Sequence, residues 1–118
     1  MVRMVDITER SFEFALRIIK LCQFLNKKYV MENNVLAKQL LRSGTSVGAN
    51  VEEAQAGQSR KDFINKMAIA LKEARETNYW LRLLEASKIV PKGKLTELIK
   101  ESEEIKRIIG AIVVSSKK

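Results

Sequence analysis

The sequence predicts an all-α protein: an antiparallel up-down-up-down four-helix bundle, formed as a single domain over residues 1–118. Three observations lead there. Four stretches carry apolar residues at three- and four-residue spacing, the period of one helix face. Glycine numbers 5 and proline 1, too little punctuation for a chain of strands and turns. Hydrophobic residues make up 46% and charged residues 31%, which supplies both a core and the solvated faces of long helices. An all-α array with different helix pairing is the alternative.

The first helix opens near Asp6, where Asp6-Ile-Thr-Glu9 reads as a capping box. Phe12, Ala15, Leu16, Ile19 and Cys22 form its core stripe, and it ends near Asn26 to Lys28. The second starts at Asn33 or Asn34 and carries Leu36, Leu40, Val47, Val51 and Ala54 on one side. Gly57 stops it, because glycine accepts the left-handed conformation that ends helices. Ser59 caps the third and longest, which runs to Ser87 and reaches about 40 Å at ~1.5 Å per residue. Its stripe is Phe63, Met67, Ala70, Leu71, Ala74 and Leu81. Pro91 breaks the chain and fits the first turn of the fourth helix. That helix buries Leu95, Leu98, Ile99, Ser102, Ile105, Ile109 and Ile112.

Two of these helices carry more apolar surface than one bundle hides. On the third, Ile69, Tyr79, Trp80 and Leu83 project away from the core stripe. On the first, Phe14, Ile18, Leu21 and Leu25 flank it. Aromatic and aliphatic residues on an outer face suit a contact between subunits, so a homo-oligomer is expected.

Enzyme chemistry is poorly provided for. The chain has no histidine, which removes the commonest general base and metal ligand. One cysteine, Cys22, permits neither an internal disulfide nor a zinc cluster, and a reducing compartment suits it. Arg42-Ser-Gly-Thr-Ser-Val-Gly48 lacks the Gly-Lys-Ser/Thr ending of a phosphate loop. It reads instead as a stretch of small residues where a neighbouring helix comes close, with Asn50 bonding across the interface. The expectation is a non-enzyme with no cofactor and no metal. The longest apolar run, Ile108 to Val114, is too short to cross a bilayer, and no signal-like region opens the chain. A cytoplasmic protein without membrane contact is expected.

The net charge of +8 and pI near 9.8 point to a polyanionic partner. Arg10, Arg17, Lys20, Lys27 and Lys28 share one polar face of the first helix. Lys38 and Arg42 repel at i,i+4 on the second, a cost that an anion would relieve. Arg60 and Lys61 open the third beside its amide dipole. With no sequence-reading motif present, these residues would bind RNA or DNA non-specifically, along the backbone. An acidic protein partner is the alternative.

The stretch Leu40-Leu-Arg-Ser-Gly-Thr-Ser-Val-Gly-Ala-Asn-Val-Glu-Glu-Ala54, then Ser59-Arg-Lys-Asp-Phe63 and Ile69-Ala70, resembles the proteins encoded in intervening sequences of 23S rRNA genes, the S23 family. Arg42, Ser46, Asn50, Glu53, Ser59, Phe63 and Glu76 match its pattern, and the resemblance assigns none of them a catalytic role. It implies a four-helix bundle assembled as a homopentamer. A related branch, the accessory variability proteins of diversity-generating retroelements, implies a reverse transcriptase or nucleic acid as partner. Lys72 and Glu73 depart from the pattern, where small residues are usual.

Overall fold

The computed structural model describes residues 4–27 and 29–118. Four helices account for most of them: α1 (Met4–Leu25), α2 (Met31–Gln55), α3 (Arg60–Ser87) and α4 (Thr96–Ser116). No strand occurs among the described residues. α1 packs on α2 and α4, and α3 packs on α2 and α4, so the helices close a ring around one core. The molecule measures 46 × 22 × 18 Å. A helix of α3's length spans about 42 Å and fits only along the long axis. Thr8, near the start of α1, meets Gln55 at the end of α2, with 2.5 Å between their side chains. Arg60 at the start of α3 meets the Ser116 carbonyl at the end of α4.

Ser59 caps α3 as its sequence suggests, its hydroxyl accepting from the Asp62 amide at 3.1 Å. The other ends differ from expectation. α1 is already helical at Met4, so Asp6 lies in its first turn and is no cap. α2 starts at Met31 without a side-chain cap. Asn33 instead reaches back to donate to the Leu25 carbonyl at 3.4 Å, serving the end of α1. Gly57 does follow α2, but not by adopting positive φ; the left-handed residues among those described are Lys88, which ends α3, and Gly93. Pro91 opens a turn closed by the Lys94 amide at 3.2 Å, and α4 begins after it. Asn50 donates to the Ser46 carbonyl of its own helix at 2.8 Å and, among the described residues, makes no side-chain hydrogen bond to another helix.

The largest correction concerns α1. Its buried stripe is Ile7, Ser11, Phe14, Ile18, Leu21, Cys22 and Leu25, while Phe12 and Leu16 stand at 54% and 42% exposure. The expected core and the expected surplus are exchanged in large part. Both stripes are apolar and lie roughly a third of a turn apart. α2 decides between them. Gly44 and Gly48 remove side chains where Ile18 and Ser11 press in, and only the stripe carrying those residues can seat there.

The core stripes of α2, α3 and α4 follow their periodicity: Leu40, Val47, Val51, Met67, Ala70, Ala74, Leu81, Ile105 and Ile109 are buried. Each fully buried large aliphatic contributes about 1.5–3 kcal/mol. Polar groups within this core are paired. Thr77 donates to Ser43 at 2.9 Å, tying α3 to α2, and Asn78 donates to Ser102 at 2.9 Å, tying α3 to α4. Such bonds fix helix register, since an unpaired buried partner is costly. The Cys22 thiol donates to the Ala37 carbonyl at 3.2 Å, and burial pushes its pKa up to about 11. It therefore stays protonated and unreactive near neutral pH.

Candidate nucleic-acid interface

The expected anion-binding residues divide by what they touch. Arg10 grips Glu101 of α4 through two hydrogen bonds, at 3.0 and 2.6 Å, and reaches Glu104 at 3.4 Å. The Glu101 hydrogen bond raises its pKa further. Arg42 turns inward to Glu73 at 3.2 Å and to Glu76. The anion that relieves its repulsion from Lys38 thus comes from its own chain. Arg60 donates to the carbonyls of Ser116 and Lys118, which neutralises the open end of α4. All three are engaged by partners within their own chain. Lys38 and Lys61 are exposed and join no ion pair among the described residues, and Lys28 lies outside the described residues.

Arg17, Lys20 and Lys27 behave differently. With Phe24 they recur at three-, four- and three-residue spacing along one face of α1. The turn after Pro91 brings Lys94 opposite them. Arg17, Lys20, Leu21 and Phe24 from α1 and Lys94, Leu95 and Leu98 from the other wall line a groove of about 270 Å³. The Lys94 ammonium lies 4.5 Å from the centre of the Phe24 ring, and that of Lys27 lies 5.7 Å from it. No carboxylate lines this groove, and none of its cations joins an ion pair among the described residues. Lys94 was missed in the sequence reading because only the fold brings it beside α1. The basic turn Lys92-Gly-Lys94 is the signal that marks it.

A second basic groove, of about 570 Å³, lies between α3 and α4. Arg75, Arg82, Lys106 and Arg107 line it with Asn78 and Glu103. Arg82 is held by Asn78 at 2.9 Å, and Asn78 by buried Ser102, so the guanidinium is positioned from the core. Lys106 pairs with Glu103 at 3.1 Å and its hydrogen bond lowers the Glu103 pKa. The sequence reading passed over these residues because glutamates interleave them.

The outer apolar surface has two parts. Ile69, Tyr79 and Leu83 are exposed, as expected. Trp80 is half-buried against the core and donates to Glu76 at 3.1 Å. On α1 and α2, Phe12, Leu16 and Leu41 are exposed, and a cavity of about 580 Å³ between these helices is lined by Phe12, Ala15, Gly48 and Glu53. The remaining motif residues build the framework: Ser46 donates to the Arg42 carbonyl at 2.6 Å, and Phe63 packs on the core. Among the described residues no group of three or more potential metal ligands occurs, and no helix is long and apolar enough to cross a membrane.

A family model described as 23S rRNA-intervening sequence protein matches residues 3–111. Among solved structures, a protein of unknown function from the S23 ribosomal protein family of Bacteroides thetaiotaomicron VPI-5482 is 43% identical in sequence. The match has a TM-score of 0.87 and covers 95% of this chain and 98% of that one. No curated protein matches.

Proposed function

The chain belongs to the 23S rRNA-intervening sequence protein family, and from that premise we propose a non-catalytic, cytoplasmic, self-associating bundle that binds RNA or DNA non-specifically through the α1–α4 groove. The solved relative is of unknown function, so the reading rests on this chain's own surface. One observation carries it: Arg17, Lys20 and Lys94 line one groove with the Phe24 ring and no carboxylate, and Lys27 approaches the same ring. Cations so grouped are favoured to meet phosphates, and counterion release makes the contact salt-dependent. The absence of histidine from the sequence supports a binding role. The pairings of Thr8 with Gln55 and of Arg60 with Ser116 support an up-down-up-down course.

Fluorescence anisotropy with a labelled RNA, read from 50 to 200 mM salt, tests the reading. If four cations each meet a phosphate, log affinity falls against log salt with a slope of about −3. Replacing Arg17, Lys20 and Lys94 together by alanine flattens that slope by about 2, while Lys38→Ala leaves it unchanged. No binding at 50 mM salt, or a triple variant that titrates like the wild type, overturns the proposal. A specific observation favours a second reading, an accessory subunit for an acidic protein such as a reverse transcriptase. The arginines of the α3–α4 groove suit bidentate carboxylate pairing. Polyglutamate displaced by RNA only after Arg75 and Arg82 are removed would favour that partner.

Self-association follows from the exposed apolar residues of α1 and α2, with a homopentamer as the family expectation. Light scattering is expected to give a mass several times the 13.5 kDa of one chain. Phe12→Glu with Leu16→Glu is expected to return a folded monomer, because both side chains already face solvent within one chain. A monomeric wild type contradicts this.

A further inference from the structure

We propose that the α1–α4 groove takes single-stranded rather than duplex nucleic acid, with one unpaired base stacked on Phe24. The inference rests on the polyanion-binding reading of the same groove and adds what the ligand must offer besides phosphate. A site for phosphates alone needs only cations. This groove also has an apolar floor of Leu21, Leu95 and Leu98 beside the Phe24 ring. Phe24 is half-buried and packed against the core, which holds the ring still while part of it stays accessible.

Two ammonium groups mark the open part of that ring. Lys94 sits over it at 4.5 Å and Lys27 at 5.7 Å. Both are the ends of long flexible side chains, and both can swing onto a phosphate when a base takes their place on the ring. A base plane is better matched to an aromatic face than an ammonium that gives up hydration to lie there. The exchange leaves the cations on the backbone and the base on Phe24, the combination by which single strands are held without regard to sequence. A duplex cannot make it, because its base faces are stacked inside the helix and only its backbone and groove edges are outside.

Anisotropy at fixed salt, with a ten-nucleotide single-stranded RNA and a duplex of the same sequence, tests the inference. The wild type is expected to prefer the single strand by about tenfold. Phe24→Leu keeps an apolar side chain against the core but removes the aromatic face. It is expected to lose about tenfold toward the single strand and almost nothing toward the duplex, with the salt slope unchanged. Phe24→Tyr is expected to restore the preference, and matching thermal melts establish that the variants are folded. Equal wild-type affinity for the two probes, or a Phe24→Leu loss shared by both, overturns the stacking inference while leaving the cationic groove intact. Failure to bind either probe removes both readings.

Discussion

Gly44→Val is expected to destabilise the fold by about 3 kcal/mol, lowering the melting temperature by roughly ten degrees or more. A Cβ at Gly44 would lie 2.8 and 2.9 Å from the two γ-carbons of Ile18 and 3.2 Å from its Cβ. These are not the loose end of a side chain. Ile18 is fully buried and branched at Cβ, so its χ1 is nearly fixed on α1 and the surrounding core offers no space to retreat. Valine adds two further methyl groups to the collision. Against this stands the gain from replacing glycine within a helix, up to ~1 kcal/mol for alanine and less for valine. Gly44→Ala is thus expected to cost about 1–2 kcal/mol net, opposite in sign to an ordinary helical Gly→Ala change. Adding Ile18→Ala removes both γ-carbons, and urea denaturation of Gly44→Ala/Ile18→Ala is expected to show less damage than the sum of the single changes. A stabilised Gly44→Ala protein would mean that α1 and α2 do not meet as closely as described.

The same glycine marks what was legible in the sequence. The small residues from Ser43 to Gly48 announced a close approach, and α1 is the helix that makes it. Helical period and breakers located all four helices, and Ser59 gave the start of α3 to the residue. The side of α1 that faces inward was not legible. Periodicity ranks two neighbouring apolar stripes equally, and the choice is made by the glycines of another helix. The partners of the basic residues were hidden for a related reason. Arg10, Arg42 and Arg60 look like surface charges in one dimension, yet each meets its partner on another helix, Glu101, Glu73 and the end of α4. Lys94 shows the converse, a residue of a basic turn that the fold delivers to Phe24.

Arg42 is where these two kinds of role separate by experiment. Its guanidinium meets both Glu73 oxygens, at 3.2 and 3.5 Å, and reaches Glu76, whose carboxylate also accepts from Trp80 at 3.1 Å. The Arg42 side chain is 52% exposed but that of Glu73 only 10%, so the two halves of the pair do not stand to lose equally. Truncating Arg42 leaves a nearly buried carboxylate without its main partner, and solvent cannot hydrate it fully. Arg42→Ala is therefore expected to cost about 2–3 kcal/mol in urea denaturation, the partial exposure of the pair keeping this below the cost for a fully buried one. Glu73→Gln removes the stranded charge, and Arg42→Ala/Glu73→Gln is expected to recover about 1 kcal/mol or more relative to Arg42→Ala alone. Arg42→Lys keeps the charge but not the planar fork that spans two carboxylates, and its stability should fall between wild type and Arg42→Ala. RNA affinity and its salt slope are expected to be unchanged in Arg42→Ala at temperatures where the protein is folded, because the guanidinium is already occupied. A variant as stable as the wild type but with a flatter salt slope would reverse the assignment, making Arg42 a phosphate contact and leaving Glu73 to be held in the core by other means.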